Sequence, residues 1–267
     1  SSCAVSRFIM SFILLASLLV LPKVQGAVGN TFVLEGLKYK VLTEEPALQT
    51  GTVSVRADST GISGDIVIPV SVANGGINYS VTLIGSYTFY SCKSLASIII
   101  PDSVTSIGEY AFSGSSSLTS VTIGNGVTSI GEYAFYECSS LTSVIIGNSV
   151  TEIGFAAISD CVSLTEIVVG ENNPNFSSLD GVLFNKDQTT LILCPDGKSS
   201  AYTVPDSVTS IGDSAFERCF SLPSVIIPDS VTSIGSLGFY FCSSLTSVVI
   251  PDSVTSIGGA AFTNLYW

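Results

Sequence analysis

Four sets of residues in this 267-residue chain combine a ligating, reactive or contact-making side chain with a regular spacing. Asp206, Asp229 and Asp252 stand 23 residues apart, with Asp102 at the matching place earlier and Asn125 and Asn148 following it at the same step. Stacked carboxylates are the oxygen ligands that Ca²⁺ takes. The Asn substitutions favour the other use of such residues, a side chain that accepts a backbone N–H at a Pro-Asp-Ser turn. Cys92, Cys138, Cys161, Cys219 and Cys242 form a second column, filled elsewhere by Ser115 and Leu265. A metal site would need a tighter ligand cluster. Cys138 with Cys161, or Cys219 with Cys242, would be adjacent, but neighbours in register point the same way, so buried free thiols are favoured over disulfides. Glu109 and Glu132 form a third pair, and two carboxylates about 5 to 10 Å apart are the equipment of a glycosidase. They sit on a repetitive convex edge with no evident cleft. The fourth set offers contact rather than catalysis: Ile99, Thr122, Ile145, Val168, Ile226 and Val249, flanked by Ser97, Ser120, Ser143, Glu166, Ser224 and Ser247.

Composition narrows the chemistry further. The chain has no His, which removes imidazole as base, nucleophile partner and metal ligand. No catalytic residue, metal site or cofactor is expected, and the chain reads as a non-enzyme. The formal charge is −12, with nine Lys and Arg against 21 Asp and Glu. Such a surface repels phosphate backbones and anionic lipid, which argues against nucleic acid and membrane-surface partners. An extracellular protein or a glycan fits better. From Phe8 to Leu21 the chain is almost wholly apolar, too short to span a bilayer and followed by Val24-Gln25-Gly26. Residues 1–26 therefore read as a secretory signal peptide. No membrane insertion of the mature chain is expected.

The elements that position these columns come from one repeated unit. Ser117 to Ser139 recurs almost letter for letter, and Leu95, Leu118, Leu141 and Leu164, then Leu222 and Leu245, are each 23 residues apart. A fixed period of that length is the mark of a solenoid. Leu118, Val121, Ile123, Val127, Ile130, Ala134, Phe135 and Cys138 mark the inward positions of one turn. The L-x-x-L-x-L spacing places a short strand first, and Ser-Ile-Gly-Glu-Tyr-Ala-Phe then returns as a corner and a helix-compatible stub. Phe89, Phe112, Phe135, Phe216, Phe239 and Phe262, with Ile158 substituting, form an aromatic spine of core packing.

Residues 27–65 lack the period and read as a small strand-rich cap, and residues 66–267 as the solenoid. Between Leu164 and Leu222 lie two periods and 12 extra residues. That excess marks an irregular insert at about 171–200. Its runs Gly181–Phe184 and Thr189–Leu193, flanking Asn185-Lys186-Asp187-Gln188, predict a hairpin. The last turn ends without a polar closing repeat, so truncation at the C-terminus is expected, with end-to-end self-association as a possible use of the open end.

These residues resemble the BspA-like class of leucine-rich repeats. The carriers are the Ser-Val-Thr-Ser-Ile-Gly or Gly-Val-Thr-Ser-Ile-Gly cores beginning at Ser103, Gly126, Ser207, Ser230 and Ser253, each followed by Ala-Phe or a related pair. The insert Asn173-Pro174-Asn175-Phe176-Ser177-Ser178-Leu179-Asp180-Gly181-Val182-Leu183-Phe184-Asn185-Lys186-Asp187 belongs to the same pattern. The resemblance implies a leucine-rich-repeat solenoid of short parallel strands with turn or short helical segments, in a secreted or cell-surface protein. It also implies adhesion. Side chains alternate along a strand, so the row from Ile99 to Val249 should face outward as an aliphatic patch of about 300 Å², the size at which exposed apolar surface becomes meaningful. The alternative is a structural spacer that presents a C-terminal domain outside this chain.

Overall fold

The computed structural model describes residues 28–57 and 62–265. The expected signal peptide, residues 1–26, lies outside the described residues. The chain opens with three antiparallel strands, β1 (Thr31–Leu34), β2 (Leu37–Glu45) and β3 (Thr50–Ala57). There follow β4 (Ser63–Val67), β5 (Ser71–Asn74) and β6 (Ile77–Ile84), then β7 (Ser94–Ile100) and β8 (Ser106–Ile107). Regular turns contribute β9 (Ser120–Ile123), β10 (Ser129–Ile130), β11 (Ser143–Ile146), β12 (Glu152–Ile153) and β13 (Glu166–Val169). The insert forms β14 (Phe176–Leu179), β15 (Val182–Asn185) and β16 (Thr190–Leu193). The remaining turns add β17 (Tyr202–Thr203), β18 (Ser210–Ile211), β19 (Val225–Ile226), β20 (Ser233–Ile234), β21 (Val248–Val249) and β22 (Ser256–Ile257).

Each turn lays one strand on each of two sheets. One sheet runs β13-β11-β9-β7-β4, all parallel, and the other runs β1-β2-β3-β6-β8-β10-β12. Because β3 pairs in parallel with β6, the N-terminal strands and the solenoid share a sheet. After the insert the pattern resumes as β16-β18-β20-β22 and β17-β19-β21.

Threonine stitches the corners. The N–H of Thr142 donates to the Thr119 carbonyl at 2.9 Å and its hydroxyl donates to the same oxygen at 3.0 Å. Thr119 makes the same pair of bonds to Ala96, and Thr128 to Thr105, always 23 residues back. A carbonyl oxygen has two lone pairs, and both are used.

The third side of each turn departs from the sequence expectation. No helix occurs among the described residues, and the return segment is a run of turns. Two positions per turn, four residues apart, hold a positive φ: Tyr87 and Ser91, Tyr110 and Gly114, Tyr133 and Glu137. A left-handed residue every fourth place breaks any right-handed helical run. The amide hydrogens go elsewhere. Tyr110, Phe112 and Gly114 donate to Glu132, Ala134 and Tyr136 of the next turn at 2.7 to 3.0 Å, while Ser113 and Ser115 close tight turns within their own.

Inside, Phe89, Phe112 and Phe135 stack with centroids 5.0 and 4.9 Å apart, and Phe216, Phe239 and Phe262 at 4.7 and 5.1 Å. The core is in two parts. The first extends from Leu37 to Val169 and includes Leu183; the second begins with Val182 and Phe184 and runs to Ala261. Alternation along β15 therefore sends successive side chains into different cores, and this strand is the wall between them. The expected hairpin is β15–β16, and β14 adds a further antiparallel partner through the Asp180-Gly181 turn, both residues at positive φ.

Truncating either side of this wall is expected to loosen one core more than the other. Leu183→Ala should cost about 2–5 kcal/mol and Phe184→Ala about 3–5 kcal/mol. Native-state hydrogen exchange should show protection falling first within residues 95–169 for the former and within 202–245 for the latter; identical profiles would contradict the two-core arrangement.

Candidate functional site

The outward row takes its geometry from strand register. Ile99 is paired with Thr122, Thr122 with Ile145, and Ile145 with Val168 across β7, β9, β11 and β13. Their inward neighbours Ile98, Val121, Val144 and Ile167 are buried. Outside, exposure runs from 38% at Val168 to 48% at Ile99, with Thr122 half-buried. Register also adds Val67 of β4, which pairs with Ile99 and is 65% exposed. Sequence reasoning missed it because Val67 lies 32 residues before Ile99 rather than 23: the antiparallel pair β5–β6 lengthens this turn, and the register slip at Gly64/Asp65 adds one residue more. Ile226 and Val249 are exposed on β19 and β21, where register aligns them with Thr203.

The six positions expected to make one row thus fall in two groups, Val67 to Val168 and Thr203 to Val249, on separate sheets. In the flanking column Ser97, Ser120, Ser143 and Ser224 are half-buried, while Glu166 and Ser247 are exposed. Ser97 donates to Asp65 Oδ1 at 2.5 Å. Between the groups stands the β14–β15 hairpin. It is fixed to β13 by the Ile167 N–H on the Gly181 carbonyl at 2.9 Å and the Val169 N–H on Ser178 Oγ at 3.0 Å. The corner so formed is a notch of about 450 Å³ whose charged residues are Glu166 and Asp180. An aliphatic strip therefore ends at an acidic step.

The remaining columns are structural. Asp102 Oδ1 accepts the Asn125 N–H at 2.6 Å, and Asn125 Oδ1 accepts that of Asn148 at 2.9 Å. In these turns the side chain does take a backbone N–H, but from the following turn, so the part of the column from Asp102 to Asn148 is another ladder. Among the described residues no group of three or more Cys, Asp or Glu could hold a metal ion. The six described cysteines are free and buried. The thiols of Cys138, Cys161 and Cys242 donate to the carbonyls of Phe112, Phe135 and Phe216 at 2.9 to 3.2 Å, a bond that Ser115 makes to Phe89 at 2.7 Å. Burial pushes the Cys138 and Cys242 thiols up to about 12, away from reactive thiolate. Glu109 and Glu132 are exposed beside a second ladder that the sequence reading passed over, Tyr87, Tyr110 and Tyr133, stacked at 5.1 and 4.9 Å. Its signal was the Tyr two places before each spine Phe.

Two buried polar residues anchor the insert. Asn173 Nδ2 donates to the carbonyls of Gly147 and Val150, and its Oδ1 accepts the N–H groups of Asn175 and Phe176. Asp196 accepts the Cys161 N–H at 2.8 Å, close to the ion pair of Asp160 with Arg218. Burial, the largest influence, pushes the Asp196 carboxyl up to about 8, against the backbone N–H groups of Cys161 and Asp160 that favour the ion.

The BspA type leucine rich repeat region matches residues 71–189 and 196–266 in six copies. The chain belongs to the BspA-type leucine-rich-repeat family. It is similar to the crystal structure of a leucine-rich repeat protein from Eubacterium ventriosum, with 25% identity and a TM-score of 0.60 over 85% of this chain and 67% of that one. The pneumococcal vaccine antigen PcpA matches at 21% identity and a TM-score of 0.53, over 89% of this chain and 80% of that one. The T. pallidum leucine-rich repeat protein matches at 24% and 0.50, over 87% and 88%. These last two show the fold alone. No curated protein gives a significant match.

Asp196 makes stability depend on pH. The folded carboxyl holds its proton to about 8, whereas in the unfolded chain it ionises near 3.8. Between those values the folded state binds more protons, so this residue's contribution is lost as pH rises. Asp196→Asn keeps an acceptor for the Cys161 N–H and cannot ionise. The Tm difference, variant minus wild type, should grow as pH is raised from about 5 to about 8; a difference constant with pH would show that Asp196 does not titrate in this window.

Proposed function

We propose that this chain is a secreted or cell-surface binding protein, without catalytic activity, whose sheet face adheres to an extracellular protein or glycan. The observation that carries the reading is the strip from Val67 to Val168, contiguous by register, with four β-branched aliphatic side chains exposed on a parallel sheet bonded to its neighbours at every turn. A surface held this rigidly loses little conformational freedom on binding, so contact area converts more fully into affinity. Half-buried serines beside the strip leave the aliphatic groups accessible to a flat partner. Glu166 and Asp180 at its end favour a basic group there, in keeping with the net charge of −12. Family membership supports a surface repeat protein. Adhesion itself rests on the strip.

The spacer reading draws on a different observation, the stitching of consecutive turns on all three sides, which makes a stiff rod whatever its faces carry. The two are separated by assaying residues 27–267 against an array of matrix proteins and glycans, beside a variant with Val67, Ile99, Ile145 and Val168 changed to Thr. Thr retains β-branching and strand preference. Adhesion through the strip predicts selective binding that falls by about tenfold or more in a variant with wild-type Tm. No binding, or equal binding by the variant, would favour the spacer.

A further inference from the structure

We propose that the gap where the first stack of turns meets the insert is a binding site for a small apolar amine, an aromatic or branched body carrying one ammonium group. The gap is a cavity of about 330 Å³. Its wall is apolar, with Ile153, Phe155 and Ile158 on one side and Phe176, Leu183 and Ile192 on the other. Its polar side chains are Ser159, Asp213 and Ser214, and Asp213 is the only charged residue of the lining.

The cavity follows from a change in the repeat. Positions two before and at the spine carry Tyr110 and Phe112, then Tyr133 and Phe135, then Ala156 and Ile158. Two rings are lost in one turn. At that same turn the parallel sheet ends at β12, and the next strand of this kind, β16, belongs to another sheet. The space left by the smaller side chains is therefore not closed by a following turn. Phe155 stands at its rim, 54% exposed and edge-on to Tyr133 at 5.6 Å.

Three observations fix the ligand's chemistry. The apolar wall and a volume within the range of small-molecule sites call for an apolar body. The Ser214 hydroxyl is buried without a hydrogen-bond partner, and buried polar groups left unpaired are uncommon and costly. Ser214 lines the cavity, so a rotation of its side chain toward the gap would pair this hydroxyl with an N–H there. Asp213 is held through Oδ1 by the Ser236 N–H at 2.7 Å, so its carboxylate is fixed at the cavity's edge, in a chain of net charge −12 and with no Lys or Arg in the lining. An acid would be repelled there, and a cation attracted. An apolar body with a terminal ammonium satisfies wall, hydroxyl and charge together.

The test is titration of the purified chain, followed by ligand-observed NMR, with tryptamine, its neutral alcohol analogue tryptophol and the acid indole-3-propionate. Ala156→Tyr restores the ring that the two preceding turns carry at the same positive φ, and so fills the gap with a residue this backbone accepts. Asp213→Asn keeps the oxygen that holds the Ser236 N–H and removes the charge. The expected result is saturable binding of tryptamine, abolished by Ala156→Tyr and weakened about fivefold by Asp213→Asn, with tryptophol unaffected by the latter change. Absence of saturable tryptamine binding, equal binding of the acid, or indifference to Asp213→Asn would each overturn the proposal. Should Ala156→Tyr lower Tm, Asp213→Asn alone decides.

Discussion

The structure depends on one constraint, that every turn meet its neighbour in register. A threonine N–H and hydroxyl reach the same carbonyl 23 residues back, a thiol or a serine hydroxyl reaches the preceding spine carbonyl, and an Asp or Asn side chain takes the next turn's N–H. Each bond is modest, about 0.5–1.5 kcal/mol net. Their strength lies in repetition, because a turn of the wrong length would leave many of them unmade at once. The narrow choice of residues follows: Thr at the corners, Asp or Asn at the ladder, Cys or Ser beneath the spine, Phe within it.

Where the period fails, the chain meets the same demand by other means. The insert after Leu164 takes the place of a regular turn beside Val150 and Cys161. Asn173 supplies side-chain donors to Gly147 and Val150, and Asp196 supplies an acceptor to Cys161. These buried polar groups are satisfied by the turns on either side, which fixes the insert against the first stack. β15 completes the repair by turning side chains both ways, so that each half of the solenoid packs against a wall. The acidic notch and the apolar cavity both lie along this seam.

Much of this was legible in the sequence, for a physical reason. A solenoid makes sequence period and spatial neighbour the same thing, so Ile99, Thr122, Ile145 and Val168 could be placed in one outward row from spacing and strand alternation alone. What escaped depends on backbone conformation or on contacts outside the period. The return segment looked helix-compatible because Glu-Tyr-Ala-Phe has ordinary helical propensity; nothing in those letters announces a left-handed Tyr133 or Glu137. Ile226 and Val249 were assigned to the same row as Ile99 because the period resumes after the insert; the 12 extra residues marked a hairpin there, but not that the row would divide between two sheets. Val67 was hidden because the β5–β6 pair lengthens its turn beyond the 23-residue step. The Asp180-Gly181 turn could have been recognised, because Asp-Gly between β-prone runs is a strong hairpin signal, and with it β14.

The direction of the inter-turn bonds governs how this protein would answer a pull. Strands in a solenoid lie across the long axis, so tension applied along that axis acts along the hydrogen bonds rather than across them. Bonds loaded this way open in sequence, like a zipper, instead of resisting together in shear. Each turn that peels away would free 23 residues, about 75 Å of extended chain. A solenoid loaded this way would lengthen in steps, one turn at a time.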